Sequence, residues 1–101
     1  MENLLKETKH FLTLCHKTPK EVLWVGTKDG SEVISWDEFE NMADFDYDNL
    51  YGRTEIRLDL VIVGGTWWLE RHEHDGCEWW EYKKQPTLKK KTKKLEELRD
   101  V

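Results

Sequence analysis

The stretch Trp67–Tyr82, WWLERHEHDGCEWWEY, decides the fold of this chain. Asp75-Gly76 is a preferred turn dipeptide, so the residues on either side are expected to form a β-hairpin. Because strand side chains alternate between two faces, the members of each Trp-Trp pair must point to opposite sides. The more apolar face is predicted to meet the core. It carries Trp67, Leu69, Arg71, Glu78, Trp80 and Tyr82.

Two registers are open to this hairpin. A two-residue loop places glutamates directly opposite each other, Glu70 with Glu81 and Glu73 with Glu78, which is unfavourable. A four-residue loop pairs Arg71 with Glu78 instead and removes both repulsions. We therefore predict the four-residue loop.

The second face of the hairpin combines two tryptophans with acids, a histidine and Cys77. It must lie under another element or stay open to a partner. Tryptophan is favoured at interface hot spots, because it couples a large contact area to one hydrogen-bond donor. The predicted contact residues are Trp68, Glu70, His72, Trp79 and Glu81.

Upstream, residues 2–17 are predicted to form a helix, with an apolar face at helical spacing. That face comprises Leu4, Thr8, Phe11, Leu12 and Cys15. A second hairpin follows around Asp29-Gly30, in which Val25 faces Ile34 and Leu23 faces Trp36.

Ser35 and Glu38 have the spacing of a capping box, which predicts a short helix from Trp36 to about Ala43. This helix is expected to bury Phe39 and either Met42 or Ala43. The run IRLDLVIV, residues 56–63, alternates apolar and charged side chains and is the clearest strand outside the hairpin.

These patterns predict a single α+β domain over residues 1–86, followed by a lysine-rich tail, residues 87–101, that is loose or partly helical. The expected fold is an antiparallel sheet of four to five strands, with an N-terminal helix packed on one face and a short helix between strands. The predicted strands are residues 22–26, 32–35, 56–63, 67–72 and 77–83.

The charge is divided unevenly. Residues 29–82 hold 15 acidic residues and three arginines, a net charge of −12, whereas residues 83–94 hold seven lysines and no acid. The acidic body argues against direct nucleic-acid binding. It suits an alternative, a DNA-mimicking inhibitor centred on residues 37–48, which would occupy the groove of a host nucleic-acid-binding protein.

Neither a membrane span nor a signal peptide is indicated, and two cysteines provide no disulfide framework. We therefore expect a cytoplasmic protein. No catalytic motif or phosphate-binding loop is present, so the sequence favours a protein without enzymatic activity and without a cofactor. A protein partner is expected, and a homodimer is compatible with the sequence.

Two weak metal patterns remain as a further alternative. Residues 44–55, DFDYDNLYGRTE, resemble a calcium-binding loop, although a strand rather than a helix is expected to follow. The acidic ligands would be Asp44, Asp46, Asp48 and Glu55. A zinc site at the hairpin would use His72, His74 and Cys77, with His72 facing Cys77. In each case the simpler interpretation is a solvated polar loop.

The segment DLVIVGGTWWLERHEHDGCEWWEYKKQP resembles uncharacterised small proteins encoded by phages and prophages of Gram-positive bacteria. Their pattern is of the type DLVIVG-x-x-WWLER-x-E-x-DG-x-EWW-x-[YF]-K, and the likeness extends over residues 34–86. In those proteins the position of Cys77 is often Ser and that of His74 often Tyr. The resemblance therefore implies that neither residue is an essential metal ligand, and it carries no activity. The expected function is that of an accessory phage or prophage protein that binds another macromolecule.

Overall fold

A computed structural model describes residues 1–50 and 52–100. Tyr51, inside the acidic window, and Val101, the last residue of the predicted tail, lie outside the described residues. The fold is α+β, as predicted, with seven strands and two α-helices in the described part of the chain. They are β1 (Glu2–Asn3), α1 (Leu4–Leu14), β2 (Trp24–Thr27), β3 (Val33–Ile34), α2 (Trp36–Met42), β4 (Asp46–Tyr47), β5 (Leu60–Val63), β6 (Trp67–His74) and β7 (Cys77–Lys84).

Five of the strands form one antiparallel sheet in the order β3-β2-β5-β6-β7. The short strands β1 and β4 pair separately, with Glu2 opposite Tyr47 and Asn3 opposite Asp46. The sequence pattern predicted the large sheet but not this small one. Strand β4 lies in a stretch that is mostly polar, and only the pairing with the N-terminus makes it extended.

The predicted register of the β6–β7 hairpin is wrong. The loop has two residues, and Glu70 lies opposite Glu81 and Glu73 opposite Glu78. Asp75 and Gly76 have φ angles of 50° and 84°. These positive values are typical of the tight turn whose twist matches that of two paired strands.

The two pairs of opposite glutamates are tolerated for different reasons. Glu78 is buried and accepts hydrogen bonds from Arg71 and from the backbone N–H groups of Glu55 and Ile56, whereas Glu73 points to solvent. On the other face, His72 lies within 2.8 Å of Glu70 and 3.5 Å of Glu81.

Strand β5 begins at Leu60, four residues later than predicted. The N–H groups of Glu55 and Ile56 bind Glu78, and Leu60 N–H donates to the carbonyl of Arg57, so this segment turns instead of extending. The alternation of apolar and charged side chains therefore begins at residue 56, before the part of the segment that pairs with neighbouring strands.

The helices agree with the prediction except at their boundaries. The first covers Leu4–Leu14 rather than residues 2–17, because Asn3 caps it by accepting from Lys6 N–H. The second has the predicted capping box of Ser35 and Glu38.

The predicted core contacts around the first hairpin are partly correct. Phe39 and Ala43 are buried, as is Val25, which pairs with Ile34 as expected. Met42 is exposed, so Ala43 is the buried member of the predicted alternative. Leu23 is exposed and does not pair with Trp36, because β3 ends at Ile34 and Trp36 begins α2.

One face of the large sheet carries the core. Both helices and β4 pack on this face, and the core cluster joins buried side chains between Leu4 and Trp80. Its members include Leu4, Leu12, Val25, Phe39, Tyr47, Ile62, Trp67, Leu69 and Trp80.

No helix in the described part of the chain is long and apolar enough to cross a lipid bilayer. Residues 85–100 form neither helix nor strand, and their side chains are exposed.

Gly26 in β2 allows the backbone of Glu32, just before β3, to lie close to it. A Cβ atom at this position would lie 2.1 Å from the backbone carbonyl oxygen of Glu32. We expect Gly26→Ala to lower the free energy of unfolding by about 1–3 kcal/mol, since a backbone atom cannot move aside as a side chain can. Urea denaturation followed by tryptophan fluorescence measures this loss. Gly65→Ala is the control, because a Cβ there meets nothing within 4 Å; equal losses in the two variants would contradict the steric explanation.

Candidate functional site: the open face of the sheet

The face of the large sheet opposite the core carries the candidate site. We call it the open face and define it by nine residues, Trp24, Val61, Val63, Trp68, Glu70, His72, Trp79, Glu81 and Lys83. These side chains lie side by side in rows across β2, β5, β6 and β7. Both helices and the β1–β4 pair pack on the other side, so the described part of the chain places no helix or strand over the open face.

All five predicted contact residues come together here. The indole N–H of Trp68 donates to Glu70 at 2.7 Å, and that of Trp79 donates to Glu81 at 3.1 Å. His72 links the two carboxylates, with its Nε2 atom 2.8 Å from Glu70 and 3.5 Å from Glu81. We call these five residues the Trp–Glu cluster.

The hydrogen bonds of the cluster keep both glutamates ionised. Burial opposes ionisation of Glu70, but hydrogen bonds from Trp68 and His72 outweigh it, so the pKa of Glu70 lies below its ordinary value. For Glu81, the hydrogen bond from Trp79 is the main cause of a lowered pKa, assisted by His72 and Lys83. The cluster is therefore a set of fixed charges that hold the indole rings in place.

The tryptophans differ in their exposure. Trp68 is half-buried, whereas Trp79 keeps 36% of its surface exposed. Because both indole N–H groups are already bonded to glutamates, the rings offer mainly apolar surface to an approaching molecule. Such surface suits contact with an apolar or aromatic side chain of another protein.

A groove runs along the open face and shares Trp68 and Glu70 with the Trp–Glu cluster. Its volume is about 330 Å³, and it is lined by Trp24, Lys28, Val61, Val63, Trp68 and Glu70. Its apolar lining comes from the two valines and the two tryptophans, while Lys28 and Glu70 lie 3.7 Å apart. The groove is large enough for one or two partner side chains.

Trp24, Lys28 and the two valines are the part of the site that the sequence analysis missed. A signal was present, because Trp24 alternates with the core residue Val25 and must point to the opposite face. What the sequence could not provide was the order of the strands. That order puts β2 two strands away from β6, at the right distance for a groove.

The core face behind the cluster holds a buried polar network. Arg71, whose side chain has no exposed surface, donates to Glu78 at 3.1 Å and to the hydroxyl of Tyr47 at 3.0 Å. Its guanidinium also lies 3.4 Å from Glu7 and 4.9 Å from the centre of the Trp80 ring. Burial raises the pKa of Glu7, although its hydrogen bond from Tyr47 acts in the opposite direction. This network connects α1, β4, β6 and β7 behind the open face.

The two candidate metal sets are not assembled as ligand cages. Asp44 and Asp46 accept hydrogen bonds from Asn3, and Glu55 accepts from the N–H of Asp48. At the hairpin, Cys77 lies opposite His74, so the predicted pairing of Cys77 with His72 is wrong. Across residues 1–50 and 52–100, no group of three or more His, Cys, Asp or Glu side chains is placed to hold a metal ion.

The acidic stretch 37–48 lies on the helix side of the sheet, away from the open face. Its residues belong to α2, to β4 and to the loop between them, and Asp37, Asp44, Asp46 and Asp48 are exposed. The two surfaces that the sequence predicts, the tryptophan-bearing face of the hairpin and the alternative acidic stretch, therefore lie on opposite sides of the sheet.

Comparisons of this chain with protein-family models, with curated proteins and with solved structures found no match.

Proposed function

We propose that this chain is a non-enzymatic accessory protein that binds a protein partner through the open face of its sheet. The observation that carries the proposal is the uncovered Trp–Glu cluster, two of whose residues line a mainly apolar groove. The resemblance of residues 34–86 to phage and prophage proteins supports placing it among such accessory proteins.

The chemistry of the open face defines the partner. Its two glutamates, Glu70 and Glu81, are balanced by Lys83 on the face and by Lys28 beside Glu70, so the surface has little net charge to attract a polyanion or a polycation. The lining of its groove is mainly apolar, because two tryptophans and two valines contribute to it. A partner protein that inserts an apolar or aromatic side chain into the groove fits this surface best.

The test is a binding measurement with matched tryptophan variants. A tagged full-length chain is used to capture partners from a bacterial host lysate, and a captured protein is then purified and titrated by calorimetry. We expect Trp24→Ala and Trp79→Ala each to weaken binding by about 30-fold, the effect of losing a hot-spot residue of roughly 2 kcal/mol. Met42→Ala removes an exposed apolar side chain on the helix side and should leave the affinity unchanged.

A second candidate function is mimicry of a DNA backbone by the acidic stretch. The observation in its favour is that Asp37, Asp44, Asp46 and Asp48 are exposed together on the helix side, where Asn3 holds Asp44 and Asp46 side by side at 3.0 and 3.3 Å. A DNA-binding protein would be the partner in that case, and its affinity would fall steeply with salt.

The separation of the two surfaces makes the functions distinguishable. Replacing Asp37 and Asp48 with lysine should abolish binding if the acidic stretch is the contact surface, and should have little effect if the open face is. Trp79→Ala should give the opposite pattern. Binding that survives both sets of substitutions would overturn both proposals.

A further inference from the structure

Strand β7 is the edge of the large sheet, with β6 on one side only in the part of the chain that the structure describes. The hydrogen bond from Glu78 N–H to the carbonyl of Asn49, 3.0 Å long, shows that peptide groups of even-numbered residues point away from β6. Asn49 and Leu50 thereby cover the start of this edge, since the thiol of Cys77 also donates to Leu50. The remaining part, Trp80–Lys84, presents outward peptide groups of the kind that pair with another strand.

The side chains of this edge match a second copy of themselves in one antiparallel register. Centring the pair on Tyr82 places Glu81 opposite Lys83 of the second copy, twice by symmetry, and Trp80 opposite Lys84. Centring it on Glu81 or on Lys83 would place like charges against each other.

The ends of the edge favour the same register. With Tyr82 at the centre, Glu78 would lie opposite Pro86, which has no N–H to donate. The outward N–H of Glu78 is already bonded to Asn49, so nothing is lost there. A register centred on Trp80 would instead require Glu78 to pair with Tyr82 of the second copy, and Asn49 already occupies that position.

We propose that two copies of this chain associate through β7, paired antiparallel about Tyr82, to form one continuous ten-stranded sheet. The inference goes beyond the proposed function and does not depend on it. Antiparallel pairing keeps equivalent faces on the same side of a sheet, so the two open faces become one surface, with both copies of α1 on the opposite side.

A charge-swap experiment on the full-length chain tests the pairing. Sedimentation equilibrium in reducing buffer, over a wide range of protein concentration, should show a dimer for the unmodified chain. Glu81→Lys places Lys against Lys83, and Lys83→Glu places Glu against Glu81. Each substitution should therefore weaken association by about tenfold, because the unfavourable contact occurs twice per dimer. The double variant restores opposite charges and should recover the original affinity.

Matched controls have the same change in charge away from the edge. Glu73→Lys lies on β6 at the exposed hairpin tip, and Lys89→Glu lies in the tail; neither should alter association. Circular dichroism establishes that each variant is folded. A monomer at all concentrations, a dimer indifferent to Glu81→Lys and Lys83→Glu, or a double variant that fails to recover would overturn the proposal.

Discussion

Replacing Glu78 with alanine is expected to lower the free energy of unfolding by about 3–5 kcal/mol, the cost of removing one member of a buried ion pair. The substitution leaves Arg71 without its closest acid, in a position where its side chain has no exposed surface. It also removes the acceptor of two backbone N–H groups, those of Glu55 and Ile56. Urea denaturation monitored by tryptophan fluorescence measures the loss.

Glu73→Ala is the matched control, because Glu73 lies directly opposite Glu78 in the hairpin but points to solvent. It should change stability by no more than about 0.5 kcal/mol. If Glu78→Ala proves too unstable to fold, Glu78→Gln keeps the shape and one carbonyl acceptor and should show a smaller loss. Similar stabilities for the Glu78 and Glu73 variants would contradict the role assigned to the buried pair.

A double substitution separates the two roles of Glu78. Replacing a buried ion pair by apolar residues of similar volume is often neutral, so Arg71→Met with Glu78→Leu removes the problem of the unpaired charge. The N–H groups of Glu55 and Ile56 would still lack their acceptor, at about 1–3 kcal/mol for each group that stays buried. We therefore expect the double variant to be more stable than Glu78→Ala and less stable than the unmodified chain.

The second large effect is expected at Trp80. Trp80→Ala should cost about 3–5 kcal/mol, as is usual when a large buried side chain is removed. Trp80 is 2% exposed, donates to the hydroxyl of Thr8 at 2.9 Å, and lies against the guanidinium of Arg71. The same substitution therefore weakens the core, the attachment of α1 and the buried ion pair.

Trp79→Ala is the natural comparison, because Trp79 is adjacent in sequence and lies on the opposite face. Its loss should be no more than about 1 kcal/mol, since the ring is partly exposed and its one bond is to the nearby Glu81. Thermal unfolding followed by circular dichroism separates the two variants. Equal destabilisation would mean that the open face is covered by something that the fold does not account for. A stable Trp79→Ala variant also makes any loss of partner binding directly interpretable.

Much of the fold was predictable because local signals and the hydrophobic pattern agree. Ser35 and Glu38 marked the start of α2, and the dipeptides Asp29-Gly30 and Asp75-Gly76 marked both hairpins. These features depend on residues within a few positions of each other. The shared face of the five residues of the Trp–Glu cluster was also predictable, because alternation along each strand places them on one side of the sheet.

The errors arose where a residue's partner is far away in the chain. The hairpin register was judged by the repulsion between opposite glutamates, although Glu78 binds the backbone of Glu55 and Ile56, more than 20 residues earlier. The length of β5 was judged by alternation, although those same N–H groups are committed to Glu78. One buried carboxylate thus explains both errors.

The sequence by itself determined which side chains share a face, since the alternation of a strand is a property of its backbone. It also determined where the helices and turns begin, because caps and turn residues act locally. Only the tertiary structure decided which of the two faces is covered. That choice depends on where α1, α2 and β4 pack, and Arg71 and Trp80 hold α1 and β4 over the core face by contacts between distant segments. Trp68 and Trp79 are left on the open face because all the packing elements are held on the other side.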